Sequence, residues 1–244
     1  LKPIIYYRTK FFYNEGEVME MLVAYNENKQ AIILFQLLPK RDIQELKAHN
    51  YYCPQCGELV IIKAGSIKIP HFAHKRQTAC DGQFSERESV AHLIGKQQLY
   101  SWLQSKKVSV RLEATIPQLM QRPDILATVH NKQYALEFQC STISEQLFYE
   151  RTAGYVSCDI EPIWILKNTP QRSVKQAAPI QVLKLTTFQK LFIQYSNSSP
   201  HLVCYDVDKQ QFIYYHHLFF MRSNQCVAAV STLPLQAQHL PLLQ

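Results

Sequence analysis

Two carboxylates and an amide carry the chemistry that this sequence offers most plainly. They are Asp124 in Arg122-Pro123-Asp124, and Glu137 with Gln139 in Glu137-Phe138-Gln139. Carboxylates from two neighbouring segments can converge on a hard cation such as Mg²⁺, which takes few protein carboxylates and completes its shell with waters and phosphate oxygens. That is the equipment for phosphodiester hydrolysis. The plainer alternative is a pair of strands bearing two solvated acids, because motifs this short recur by chance.

The elements that must position these residues are legible on either side. Residues 124–130 and 133–140 read as strands joined at His130-Asn131-Lys132, most simply a hairpin. Alternation in the second strand puts Tyr134, Leu136, Phe138 and Cys140 on one face and Ala135, Glu137, Gln139 and Ser141 on the other, so Glu137 and Gln139 point the same way. Upstream, a helical pattern runs from Ser85, with Val90, Leu93, Ile94, Gln97 and the Tyr100/Trp102/Leu103 group at three- and four-residue spacing as far as Lys106-Lys107. Glu88, His92 and Lys96, each four apart, share another stripe of that helix. Glu88 is open to two readings, as the partner of Ser85 in a capping box or as a third acid of the site. His92 is equally a packing or a catalytic residue.

Residues 108–114 alternate as a strand that Thr115-Ile116-Pro117 ends. Residues 143–155 read as a helix with Leu147, Phe148 and Tyr155 inward and Gln146, Glu150 and Arg151 on other faces. Pro162-Ile163-Trp164-Ile165-Leu166 is a continuous apolar run, the mark of a buried strand. The order over 86–167 is therefore α-β-β-β-α-β.

A second constellation lies upstream: Cys53-Pro54-Gln55-Cys56-Gly57, then His71-Phe72-Ala73-His74, then Cys80. Cys-x-x-Cys before glycine makes a tight turn with two thiolates in reach of one ion, and two further soft ligands complete a tetrahedron around Zn²⁺. Five candidates compete for four places. Cys53, Cys56, His74 and Cys80 are the preferred set, with His71 behind them or standing in for one. Such a site is closed and structural, and holds together a segment too short to build its own core. A redox cysteine pair is the competing reading, but no βαβ pattern surrounds it.

Composition narrows the function classes. A chain of 244 residues that is 47% hydrophobic builds a real core in one large domain or two to three small ones. A net charge of +7 with pI near 9.0 favours a polyanionic partner, though it also serves solubility. Seven cysteines, of which three cluster near histidines, fit a metal site in a reducing compartment rather than a disulfide framework. No apolar run reaches membrane-spanning length and no secretory leader is recognisable, which places the protein in the cytoplasm. There is no Walker-type phosphate loop, no Ser/His/Asp triad and no internal repeat.

The flanks divide the chain further. Residues 1–20 show no clear period and read as an upstream extension, with the native start near Met21. Residues 21–50 form a small β-rich domain, with a hairpin of Met21–Tyr25 and Ala31–Phe35 and a short helix over 41–49. Residues 51–82 form the zinc-finger-like module and 83–168 the domain that carries Asp124, Glu137 and Gln139. Residues 169–244 form a C-terminal α+β extension: a linker, a strand over 180–185, a helix over 187–195, a hairpin of 202–206 and 211–215 turning at Asp208-Lys209, and a poorly ordered Leu- and Gln-rich tail.

Pro-Asp, a spacer, then Glu-x-Gln resembles the PD-(D/E)xK nuclease superfamily, whose last position is most often Lys; Gln139 orients a water or phosphate but supplies no charge. Met21–Ala24, Cys53-Pro-Gln-Cys56, His71-Phe-Ala-His74, Glu88-Ser89-x-x-His92, Arg122-Pro-Asp124, Ala135–Gln139, Arg151–Tyr155 and Ile163–Leu166 together resemble the competence protein CoiA family over residues 21–167. The resemblance implies a cytoplasmic protein of naturally transformable bacteria that acts on internalised single-stranded DNA beside the RecA recombinase. It implies a zinc-finger-like module followed by a nuclease-like domain, and Glu88, Asp124, Glu137 and Gln139 as the site, which favours the acid role for Glu88. Mg²⁺ or Mn²⁺ would then serve catalysis and Zn²⁺ structure, with Arg122, Lys132, Arg151 and Tyr155 as contacts to DNA. The rival reading is a non-catalytic DNA-binding mediator that keeps the nuclease frame as a scaffold. An RNA-directed nuclease is a third.

Overall fold

A computed structural model describes residues 20–35, 38–65, 68–75, 88–167, 169–172, 179–196 and 199–237. The expectations for residues 1–19, for Cys80 and for Ser85 lie outside the described residues. Among the described residues no helix is long and apolar enough to cross a membrane.

The N-terminal part is a six-stranded sheet. Its strands are β1 (Glu20–Met21), β2 (Val23–Tyr25), β3 (Ala31–Ile33), β4 (Tyr51–Tyr52), β5 (Leu59–Lys63) and β6 (His71–His74), ordered β1-β6-β5-β4-β2-β3, with helix α1 (Lys40–Leu46) between β3 and β4. The expected hairpin is present as β2 and β3, with Val23 opposite Ile33. The strand expected from Met21 onward is interrupted at Leu22, where the backbone turns its N–H groups away from the sheet and toward a buried carboxylate described below.

The larger sheet begins after helix α2 (Val90–Ser105). Strands β7 (Ser109–Leu112), β8 (Ile125–Val129) and β9 (Lys132–Gln139) run antiparallel. Helix α3 (Glu145–Ser157) then crosses to β10 (Ile160–Leu166), which lies parallel to β9. The observed order over 90–166 is helix, three strands, helix, strand. His130 (φ 47°) and Asn131 (φ 66°) both adopt the left-handed conformation of a two-residue hairpin turn, which matches the twist of the strands it joins.

Helix α2 starts at Val90, capped by Ser89, whose hydroxyl accepts the His92 N–H at 3.2 Å. Glu88 therefore precedes the helix, and its reading as the third residue of a capping box does not hold. Gly95 has a steric purpose: a Cβ there would lie 2.2 Å from the ring of Phe138, so glycine lets α2 lie directly on β9. Leu93, Leu99, Trp102 and Leu103 of α2 pack there with Ile125, Leu136, Ile163 and Ile165. On the opposite face Phe148 of α3 packs with Trp164 and Leu166, and Tyr155 packs with Leu126 and Ala135. Strand β10 is thus covered on both faces, the physical reason for its unbroken apolar run.

The C-terminal region continues this sheet. Its elements are β11 (Gln171–Arg172), β12 (Ile180–Lys184), α4 (Thr187–Leu191), β13 (Gln194–Ser196), β14 (Ser199–Asp206), β15 (Gln211–Arg222) and β16 (Gln225–Pro234). The ten-stranded order is β11-β12-β16-β15-β14-β10-β9-β8-β7, with β13 beside β14, and the join is a parallel bridge between Leu166 and Cys204. The hairpin expected around Asp208-Lys209 is present, but its second strand extends to Arg222. Two expectations are corrected. The helix foreseen over 187–195 ends at Leu191 and gives way to β13, and part of the presumed loose tail is β16, between β15 and β12 with Cys226 and Ala228 buried.

Candidate active site

Strand pairing sets the geometry of the acids. Ile125 faces Leu136 in the β8–β9 register, so Asp124 comes across from Glu137 at the open end of the hairpin. Asp124 is pinned there by the Phe138 N–H, which donates to Oδ2 at 2.8 Å, and by His92 Nε2, which donates to the same oxygen at 2.9 Å. Burial alone would raise the Asp124 pKa, but His92, Lys96 and the Phe138 amide outweigh it and hold the carboxyl well below its ordinary range. His92 responds in the opposite sense: burial works against its charged form, yet Asp124 and Glu88 prevail and its pKa is raised.

Glu137 lies on the α3 side of β9. Its Oε1 accepts hydrogen bonds from Arg151 and from the Tyr155 hydroxyl, and Arg151 also donates to that hydroxyl at 3.1 Å. Burial dominates here and raises the Glu137 pKa despite Arg151. Arg151 was expected on an outer face of the helix. It is buried, because 148, 151 and 155 fall on one stripe of α3 and Glu137 provides the counter-charge that makes its burial tolerable. Tyr155 is fully buried and serves Glu137 rather than a surface.

A single pocket gathers most of the expected residues. Glu88, Asp124, Glu137 and Gln139 line it together with His92, Arg122 and Arg151. Gln139 is fixed by its Nε2, which donates to the Ser141 carbonyl at 2.9 Å. Lys132 is not there: it lies five residues along β9 from Glu137, roughly 16 Å by strand rise, and pairs with Glu161 at the exposed turn. A wider cleft on the N-terminal sheet, lined by Tyr25, Lys29, Tyr52 and Gly57, touches Cys53 but none of Glu88, Asp124 and Glu137.

Cys53, Cys56 and His74 form the one group of three or more metal-ligating side chains, among the described residues, whose donor atoms all lie within 4.8 Å of one another. The turn is shaped for it: Gly57 takes φ 74°, its N–H donates to the Cys53 carbonyl at 2.9 Å, and the Gln55 N–H donates to Cys53 Sγ at 3.4 Å. Three soft donors at this spacing fit a metal ion. His71 turns elsewhere, with Nδ1 2.7 Å from the Ile69 carbonyl and Nε2 3.8 Å from Glu20.

Comparison with known proteins shows the family. The model of the competence protein CoiA nuclease-like domain matches residues 88–244, and that of the competence protein CoiA N-terminal domain matches residues 35–83. The chain belongs to the competence protein CoiA family. Competence protein CoiA of Bacillus subtilis (strain 168) is 36% identical over 204 residues, covering 83% of this chain and 52% of the relative. The chain thus spans about half the length of the curated relative it matches.

In this CoiA-family chain the N-terminal sheet meets the larger sheet at a residue that sequence reasoning passed over. Glu113, buried with φ 48°, accepts the Leu22 N–H at 3.0 Å and the Val23 N–H at 3.3 Å, and pairs with Lys96 and, at 3.9 Å, with Arg122. Lys96, read from the sequence only as one of three residues four apart, is fully buried beneath the pocket, 2.5 Å from Glu88 and 3.9 Å from Asp124. Burial would raise the Glu113 pKa, but Lys96, Arg122 and the Leu22 amide hold it below the ordinary 4.5. Its folded pKa being depressed, the ionised group stabilises the native state above its unfolded pKa, and that stability is lost as pH falls through the folded value. Glu113→Gln is therefore expected to cost about 3 kcal/mol at pH 7, a gap that narrows below about pH 4. Urea unfolding of both proteins at pH 7 and pH 3.5 measures it; an unchanged gap would refute the assignment.

Proposed function

We propose that this chain is a metal-dependent nuclease of the PD-(D/E)xK kind that processes DNA in competence, acting on single-stranded DNA alongside the RecA recombinase. The observation that carries the reading is the meeting of Asp124 and Glu137 across the hairpin, in one pocket with Arg122, Arg151 and His92. The donors fit a hard cation, being carboxylate oxygens from Asp124 and Glu137 with the Gln139 amide beside them. When bound, Mg²⁺ or Mn²⁺ lowers the pKa of a water and neutralises charge on the phosphate.

The chain's own residues then have distinct tasks. Arg122 and Arg151 place fixed positive charge where a phosphate would enter. His92, oriented by Asp124, is positioned to carry a proton, and Gln139 orients a water or a phosphate oxygen. Glu88, shared with Lys96, completes the acidic floor.

Cleavage of labelled single-stranded, duplex and branched DNA with Mg²⁺ or Mn²⁺ tests the reading, and cleavage of at least one substrate is expected. A specific observation favours the rival, a DNA-binding mediator without turnover: Glu137 is already engaged by Arg151 and Tyr155, and Gln139 brings no charge. DNA binding without cleavage under either metal would decide for that rival.

For the N-terminal module the proposed metal is zinc, held by Cys53, Cys56 and His74, with Cys80 as the fourth ligand. Elemental analysis of protein purified without chelator is expected to find about one zinc per chain, and its removal to lower the melting temperature, since binding energy at a structural site is folding energy. A content far below one per chain would sink the proposal.

A further inference from the structure

The rim of the acidic pocket differs chemically from its floor. Glu88, Glu137, Gln139 and Arg151 are buried and polar or charged, His92, Arg122 and Asp124 are half-buried, and three neutral side chains complete the lining: half-buried Gln55 and Leu147, and exposed Met120. These three come from separate parts of the chain: the turn between Cys53 and Cys56, the β7–β8 connection and the first turn of α3.

Two features mark the rim as built. Met120 is 60% exposed on a backbone with φ 53°, so a long apolar side chain is held toward solvent at the mouth in a conformation that non-glycine residues seldom adopt. Gln55 rides on a turn that is fixed locally, by its N–H to Cys53 Sγ and by Cys53 N–H to the Glu58 carbonyl at 2.8 Å. The module bearing that turn is seated against the larger sheet through Glu113, and through Gln97 Nε2, which donates to the Leu34 carbonyl at 2.9 Å.

We infer that this rim binds the nucleobase next to the phosphate held on the floor. Met120 and Leu147 offer apolar contact to a planar ring, and the Gln55 amide, with a donor and an acceptor at one end, suits the polar edge of a base. A base can enter such a rim only when it has left its stack, so the site favours a nucleotide that is unpaired or splayed. This rests on the reading of the pocket as a phosphodiester site. It makes the N-terminal module a contributor to substrate recognition and not only a metal-bound support.

The test measures binding by the full chain, by fluorescence anisotropy, with Asp124→Asn in every protein so that the oligonucleotide stays intact. Gln55→Ala and Met120→Ala are each expected to weaken binding of an ordinary single-stranded oligonucleotide about five- to tenfold. Neither should change binding of the same oligonucleotide made of abasic sites, nor zinc content or melting temperature. Equal weakening on both oligonucleotides, or none on either, overturns the inference. Failure of the folded Asp124→Asn protein to bind nucleic acid at all overturns the reading of the pocket, and the rim with it.

Discussion

Replacing Lys96 by methionine is expected to destabilise the protein by about 3–5 kcal/mol, a large share of the stability of an ordinary domain. Methionine fills much the same volume and favours helix, so packing and propensity change little. What changes is charge. Lys96 is fully buried between Glu88 and Glu113, with Asp124 at 3.9 Å. Burial opposes its charge, yet Glu113, Glu88 and Asp124 outweigh burial and raise its pKa far above the ordinary 10.5, so it stays charged. Without it two carboxylates remain in a dry interior. Glu113 keeps Arg122 and two backbone amides, while Glu88, whose pKa burial already raises against the pull of Lys96, is left to take up a proton.

Two measurements follow from that asymmetry. The loss should shrink at acid pH, where Glu88 protonates readily, and adding Glu113→Gln to Lys96→Met should cost less than the two single losses combined. Urea unfolding of the four proteins gives the coupling. A loss below about 1 kcal/mol for Lys96→Met, or strict additivity, would mean that the cluster does not act as a unit.

The same cluster marks where sequence reading stopped. The hairpin was legible because strand alternation and a two-residue turn are local properties, and β10 because both of its faces are covered by apolar layers. Glu88, His92 and Lys96 were legible as residues four apart, but their partners come from other segments. Glu113 ends a strand and meets the N–H groups of Leu22 and Val23, ninety residues upstream, and nothing local announces that encounter. Arg151 was misread by type rather than by period: its place between Phe148 and Tyr155 on the helix stripe put it inside, and only the prejudice that arginine faces solvent put it out. Strand β16 was missed because its inward positions, Cys226 and Ala228, are too small to give a strong apolar signal.

Asp124→Asn is expected to lower DNA cleavage by about 10³-fold or more, the rate equivalent of the several kcal/mol that a well-placed metal contributes. Asparagine is the informative replacement because its amide oxygen can still accept the Phe138 N–H, which leaves the β8–β9 end intact, while the negative charge is gone. Glu137→Gln tests the other half in the same way, since an amide oxygen can still receive Tyr155 and Arg151. If the two carboxylates act on one cation, each substitution alone should remove nearly all activity and the double variant should lose little more, as groups that work as a unit are not additive. DNA binding should survive in both, because each removes a negative charge from a pocket that must receive a phosphate. Cleavage by Asp124→Asn at the wild-type rate would place the chemistry elsewhere in the chain, and independent, multiplicative losses would argue against a shared ion between β8 and β9.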